Sequence, residues 1–404
     1  MPEEPSWTVP SWIEPSWTEP SWTEAAGALA DQVTAKSPAW HDAVRNTPRH
    51  LLVPRWWQRI PHSPAPEWEL ADLPGDSPEL LHTAYANETL VTRVGPLHAD
   101  HAAPGEHGRG DPTSSSTLPG LIVSMAHRLD VRPGDQVLDV GTGPGHSAAL
   151  FARRFGDANV TSVDVDPYLV EAARMRLAAF GRTPHLAALD ATGELPDPAY
   201  DRIMATVSVR PVPASWLRAL RPGGRLVTTI ARTSLLITAD MGSDGTARGR
   251  VHPDPAMFMA ARREAEYPPG LNDVFAAARV REGDDVRPPD GPVPDLWQEQ
   301  QLRWLYELDT PGVEIRSAIH PDSGRRMVWL LAADGSWARA EDGPPPRTVH
   351  QSGPRHLWDA LERVRRTWEE HGSFPLHSLR AELTPEGSAL VSPEGAGARM
   401  AFPI

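Results

Sequence analysis

A parallel, doubly wound α/β sheet carrying a small α+β unit is the fold class this sequence predicts, and three observations predict it. From Leu129 to Ile230 short apolar runs alternate with amphipathic stretches; a glycine-rich loop in LDVGTGPGHS joins the first run to the helix that follows; and past residue 265 the pattern changes to Pro- and Asp-rich connectors, a hairpin and an amphipathic helix. DQVLDV, NVTSVDV, PHLAALD, DRIMATV and GRLVTTI read as strands, with HSAALFARRF and YLVEAARMRLAAF as helices between them. In the last part, RRMVWLLAADGSWARAE predicts a hairpin turning at Asp334-Gly335. RHLWDALERVRRTWEEH predicts a helix with Leu357, Leu361, Val364 and Trp368 on one face and Gly372 at its C-terminal cap.

Ahead of the alternating region, residues 5–24 repeat with period five: PSWTV, PSWIE, PSWTE, PSWTE. Proline in every unit and unopposed glutamates predict an extended, solvated tail over residues 1–23. Its four Trp side chains suit either a docking tag for a partner maturation enzyme or an expanded repeat with no folded role, and the repeat alone leaves both open. Helical periodicity runs from Ala25 to Pro48, and PRHLLVPRWW reads as an apolar turn pinned by Pro48 and Pro54. The expected organisation is therefore a tail over 1–23, a catalytic domain over 24–265 and an accessory α+β domain over 266–404.

Composition removes several chemistries. The 404-residue chain has no Cys, so thiolate nucleophiles, disulfides and thiolate-bound metals are excluded, and Lys36 is its only lysine, far from the glycine-rich loop. The net charge of −14, without a basic run, argues against nucleic acid as partner. The absence of a cationic leader and of an apolar run near the roughly 20 residues of a membrane span predicts a cytoplasmic protein.

Gly141, Gly143 and Gly145 permit a tight turn and close backbone approach to a ligand at a helix N-terminus, a pattern that nicotinamide enzymes share. Acids on successive strands narrow the choice. Asp139 precedes the loop, where a carboxylate reaches a cationic amino-acid group; Asp164 ends the second strand, placed for a ribose diol; Asp190 ends the third, near an adenine amine. This order resembles class I S-adenosylmethionine methyltransferases. The resemblance implies S-adenosyl-L-methionine as cofactor and a site of Asp139, Gly141, Thr142, Gly143, Gly145, Asp164, Val165, Asp190 and Ala191. Asp166 and His146 are read instead as helix-entry residues.

VRNTPRHLLVP, AYANETLVT and SSSTLPGLIVSMAHRL resemble, in order, the N-terminal signature of protein-L-isoaspartate O-methyltransferases: a Pro-Arg-x-x-Phe-Val-Pro turn, a Tyr-x-(Asp/Asn) strand and a Ser-x-Pro helix entry. FMAAR, at Phe258–Arg262, stands for that family's late Phe-Val-Pro strand. The resemblance puts Thr117 where the family's serine hydroxyl faces both sulfonium and substrate carboxylate, with Ser116 as a second candidate. It implies methyl transfer to a carboxylate that is already anionic at neutral pH, so no general base is required. The motifs GSWARAE and GPRHLWDALE resemble actinobacterial relatives in ribosomal-peptide (graspetide and lanthipeptide) maturation. They imply a macrocyclised precursor peptide as substrate, one Asp of which is esterified and closes to an aspartimide; general isoaspartyl repair is the alternative. In the insertion RVGPLHADHAAPGEHGRGD, His98, Asp100, His101 and His107 lack a fixed spacing for metal ligation, so no metal is expected and a flexible substrate-covering loop is.

Overall fold

The computed structural model describes residues 19–63, 66–71, 73, 77–195, 199–262, 270–320, 324–344, 347–393 and 400–404. The strands of its central sheet, numbered in chain order, are β1 (Val137–Val140), β2 (Val160–Asp164), β3 (His185–Ala188), β4 (Tyr200–Val209), β5 (Leu220–Ile230), β6 (Leu236–Met241), β7 (Ala247–Val251), β8 (Arg380–Thr384), β9 (Gly387–Val391) and β10 (Ala401–Pro403). Their spatial order is β3-β2-β1-β4-β5-β6-β7-β8-β9-β10. The first five in that order run parallel, and each later strand is antiparallel to its neighbour. The helices His146–Phe155 and Pro167–Ala179 follow β1 and β2 as expected.

β1 is buried along its whole length, as a strand covered on both faces must be. On one face, Ala148, Ala149, Phe151 and Ala152 of the helix after β1 join a core with Trp40 and Leu52 from the N-terminal segments. Trp40 meets Phe151 edge-on at 5.5 Å, and the Arg154 guanidinium lies 4.4 Å from the Trp40 ring centroid.

Three expectations need correction. The helix Glu19–Val33 begins at the end of the third repeat and takes in the whole of the fourth, so the extended tail does not reach residue 23; the rest of it, residues 1–18, lies outside the described residues. Trp22 of that repeat stacks on Tyr85 at 6.4 Å and lies 5.6 Å from His50, an apolar seat that stabilises the last turn of repeat as helix. The His-bearing insertion is folded rather than a free covering loop. It supplies Leu97–His98 and His107–Arg109 to a six-stranded sheet around Trp57, Trp68 and Val94. Finally, the expected boundary at residue 265 is crossed by the central sheet: β8 pairs with β7, Ala247 opposite Leu383. Ala381, Leu383 and Leu390 share one core with Leu138 and Ile203, so the C-terminal strands are part of the catalytic layer.

Between them lies the α+β unit, a five-stranded sheet including the hairpin Arg326–Ala332 and Trp337–Glu341, covered by helices Gln300–Asp309 and Leu357–Glu370. Gly335, with φ of +85°, makes the expected turn. The unit is clamped to the sheet where Arg210 donates to the carbonyls of Glu307 (2.6 Å) and Leu308 (2.7 Å). No helix among the described residues is long and apolar enough to cross a membrane.

Candidate active site

A cleft of about 580 Å³ opens at the carboxyl ends of β1–β4, where a parallel sheet presents its loops. Gly141, Gly143, Asp164, Val165, Asp190 and Ala191 form its floor; Thr117, Ser115 and Thr89 close one side, and Met257–Arg262 the other.

The floor follows from backbone shape. Gly141 and Gly143 adopt φ of +95° and +49°, and a Cβ on Gly143 would sit 3.3 Å from the Ser115 carbonyl, so the loop passes beneath the hydroxyl-bearing strand only because glycine is there. The Gly143 amide donates to Asp164 Oδ2 at 2.9 Å, and the Asp166 amide donates to Oδ1 at 3.2 Å. Each oxygen thus takes one backbone donor and retains acceptor capacity for a diol facing it from the cleft. Burial raises the Asp164 carboxyl, and those two amides oppose the rise. Asp190 receives the Thr192 amide (2.8 Å) and hydroxyl (2.6 Å) on Oδ1, which fixes the loop after β3.

Asp166 caps the helix Pro167–Ala179 through the Tyr168 amide and pairs with Arg93, matching its helix-entry reading. His146 is the first helical residue after Gly145, buried and pushed down to about 3 by burial.

Four expected site residues do not line the cleft. Asp139 is wholly buried beneath the loop, where its Oδ2 accepts the Ser147 and Ser162 hydroxyls, both at 2.8 Å, and its Oδ1 meets no partner among the described residues. The short side chain at the end of a strand buried on both faces turns toward the helix start, and burial pushes its carboxyl up to about 7. Thr142 bonds Ser162 (2.8 Å) under the same loop, and Gly145 lets the helix start close to Ala173, which its Cβ would meet at 3.3 Å. Ser116 is buried on the opposite face of its strand, with the Arg49 guanidinium donating to its hydroxyl (3.3 Å) and carbonyl (3.4 Å).

Arg49 gathers the three N-terminal motifs into one unit. From the first motif it donates to the carbonyls of Ala84 (2.8 Å), Ala86 (3.0 Å) and Glu88 (2.9 Å) in the second, and to Ser116 in the third. Burial lowers it to about 10, which leaves it cationic at neutral pH. His50 bonds the Tyr85 hydroxyl at 2.7 Å, and burial pushes the imidazole down to about 4. Asn87 accepts the Gly120 amide (2.8 Å), and Thr89 accepts that of Leu118 (3.1 Å), fixing the helix entry beside Thr117.

Sequence reasoning missed Ser115, Thr206 and Arg262. Ser115 lines the cleft together with Ser114 and Thr117, and its place in the same hydroxyl run was the signal for it. Thr206 donates to the Val140 (3.1 Å) and Gly141 (2.9 Å) carbonyls, bracing the glycine loop from β4. Arg262 donates to the Thr113 carbonyl (2.6 Å) at the cleft edge.

Asp100 of the insertion is occupied by Arg176 and by the Tyr168 hydroxyl (2.7 Å). Among the described residues one cluster has metal-ligating types, Asp285, His356 and Asp359. There Gln351 Nε2 already donates to both carboxylates at 2.8 Å and Arg287 pairs with Asp359, so a cation would meet charge already satisfied.

The floor thus fits S-adenosylmethionine: a glycine turn with no room for side chains, Asp164 facing the cleft and Asp190 at its far end. The family model described as Protein-L-isoaspartate(D-aspartate) O-methyltransferase matches residues 103–252. The protein-L-isoaspartate O-methyltransferase of Methanopyrus kandleri is 36% identical over 151 residues, 36% of this chain and 66% of that protein. The protein-L-isoaspartate O-methyltransferase 1 of Anaeromyxobacter sp. is 31% identical over 219 residues, 52% of this chain and 82% of its own. A solved protein-L-isoaspartate O-methyltransferase superposes on 90% of this chain and 96% of its own, at 17% identity and a TM-score of 0.48. The chain belongs to the protein-L-isoaspartate O-methyltransferase family, a family of S-adenosylmethionine-dependent carboxyl O-methyltransferases.

Proposed function

We propose that the protein methylates the carboxylate of isoaspartyl residues in peptides or proteins. The observation that carries this reading is that one cleft is lined by Thr117 together with Gly143 and Asp164. S-adenosylmethionine supplies a methyl group on a sulfonium, ready for attack by an oxygen nucleophile. Asp164, Asp190 and the backbone at Gly141 and Gly143 are the residues that would hold it. Thr117 donates to one oxygen of the incoming carboxylate and leaves the other to attack, and placement of that sort contributes several kcal/mol. No side chain need take a proton, because a carboxylate of ordinary pKa, near 3.9, is ionised at neutral pH.

The comparisons favour repair of isoaspartyl sites over the precursor-specific role expected from the C-terminal motifs. The second reading, esterification of one Asp in a macrocyclised precursor followed by aspartimide closure, is supported by the α+β unit clamped beside the cleft through Arg210. A partner maturation enzyme belongs to this second reading alone. The test is to incubate the protein with S-adenosylmethionine and three peptides: linear isoaspartyl, linear aspartyl and side-chain-crosslinked aspartyl. Repair predicts a methyl ester on the first only. A mass loss of water on the third, through ester and then imide, would replace it with the maturation reading, and no transfer to any of them would overturn both.

A further inference from the structure

A second groove of about 460 Å³ lies on the same rim of the sheet as the cleft, between Pro253 and Pro255 on the catalytic side and Gln298, Trp304, Trp368 and His377 on the other. One stretch of chain borders both hollows. His252, Pro253 and Pro255 edge the groove, Met257–Arg262 edge the cleft, and Ala256 between them is buried. That stretch is stapled at both ends. His252 donates its amide to the Leu236 carbonyl (2.8 Å), and its ring meets Thr238 (3.0 Å) and Arg128 (3.2 Å); Ala256 donates to Ser234 (3.0 Å). Further on, Ser208 donates to Met259 (2.9 Å) and Ala261 donates back to Ser208 (2.8 Å). The two hollows are therefore held at a fixed separation.

On the stretch between them Pro253, Pro255 and Met257 are exposed apolar side chains, and the exposed Asp254 carboxylate is paired with Arg128. Met257 is 75% exposed at the junction, and Trp297, 47% exposed, stands beside Gln298 with Arg303 4.2 Å from its ring centroid. Neither lines the groove itself, but each neighbours one of its lining segments, and exposed large apolar side chains mark a surface that meets another molecule. Burial keeps the His252 imidazole, lowered to about 4, uncharged at neutral pH, and Glu299 is the one acid among the lining residues.

From these observations we infer that the groove is a second substrate subsite, which binds the polypeptide flank of the methylated residue and favours aromatic or aliphatic side chains over acidic ones. The inference rests on the proposed reading of the cleft as the site of carboxylate methylation. Indole faces and proline rings offer the flat apolar walls that such side chains fill, and glutamine amides beside them suit a peptide backbone. The spacing limits which flank positions reach it. From Pro253 to Ala261 is eight residues, at most about 29 Å when extended, so the contacted position lies within roughly eight residues of the modified one. A compact peptide with two residues on either side fills the cleft alone.

The test uses the full chain, S-adenosylmethionine, a five-residue isoaspartyl peptide and an isoaspartyl library with randomised ten-residue flanks. The wild type is expected to methylate the short peptide and to enrich aromatic or aliphatic residues about tenfold at one or two positions within eight residues on one side, with acidic residues depleted there. The surface variant Gln298→Ala/His377→Ala and, separately, Trp304→Ala are expected to flatten that enrichment and keep the wild-type rate on the short peptide, which reports an intact fold. A flat profile in the wild type, or an unchanged profile in both variants, with the short peptide still methylated, would overturn the subsite and leave the proposed activity standing. Failure to methylate even the short peptide would overturn the activity and the subsite together.

Discussion

Replacing Asp100 by Asn tests whether the insertion, expected to be a loose cover, instead braces the cofactor floor. The Asp100 and Arg176 side chains are 2% and 4% exposed, and the same carboxylate oxygen also accepts the Tyr168 hydroxyl. Burial alone would raise the Asp100 carboxyl, but Arg176, His98 and Tyr168 outweigh it and hold it below the ordinary value. Asparagine keeps the shape and removes the charge, so Arg176 becomes a buried cation without its counter-ion. Two unit charges about 4 Å apart at an effective dielectric near 20 attract by about 4 kcal/mol, and breaking a buried pair on one side costs about 3–5 kcal/mol. For a chain of this size that is a fall in Tm of roughly 3–6 °C. Arg176 and Tyr168 lie on the helix that follows Asp164, so the Kd for S-adenosylmethionine should rise several-fold as well. The control is Asp100→Leu/Arg176→Met, which removes both charges and should recover most of the stability. Differential scanning calorimetry and isothermal titration of the three proteins decide the matter. A Tm loss below about 2 °C for Asp100→Asn, or a double variant no more stable than Asp100→Asn, would refute the buried-pair account.

Thr117→Ala should lower kcat about tenfold to a hundredfold, the worth of a hydrogen bond to a charged group, with cofactor Kd within twofold; Ser116→Ala should shift Tm more than kcat, and Asp164→Ala should raise the cofactor Kd. Kinetics on an isoaspartyl peptide with parallel calorimetry checks all three. Arg49→Lys replaces a fork that reaches four residues by a point donor, and is expected to cost about 2–4 kcal/mol in urea unfolding even though the charge is kept. His50, His98 and His146 are held neutral in the fold, at about 4, 4 and 3, against an ordinary 6.5. The unfolded chain binds more protons below pH 6.5, so stability should fall steadily from there toward pH 4, by a few kcal/mol. Asp139, raised to about 7, acts in the opposite sense: its protonated form favours the fold, and that contribution fades as the pH climbs through 7. A Tm that stays flat between pH 4 and 6.5 would contradict the neutral burial of these imidazoles.

The parallel strands and the glycine turn were legible in the sequence because both are local. A strand buried on both faces needs a continuous apolar run, and positive φ at Gly141 and Gly143 needs glycine. The acids were legible only by position along their strands. Spacing put Asp139 and Asp164 equally close to the loop, but Asp164 looks into the cleft while Asp139 looks under it, and that choice depends on Ser147 and Ser162, which no motif singles out. Among the hydroxyls, no local pattern separates Ser114, Ser115 and Thr117, which line the cleft, from Ser116, whose reason for being there is Arg49, 67 residues earlier. What no local pattern conveyed was pairing over distance. β8 meets β7 across more than a hundred residues, and Asp100 meets Arg176 from a segment whose glycines and prolines read as loop. Neither contact lines the cleft; Asp100 bears on it through Arg176, on the helix that follows Asp164. The cofactor floor is therefore set locally by the loops after β1–β3, whereas what braces and surrounds it depends on distant parts of the chain folding onto one sheet.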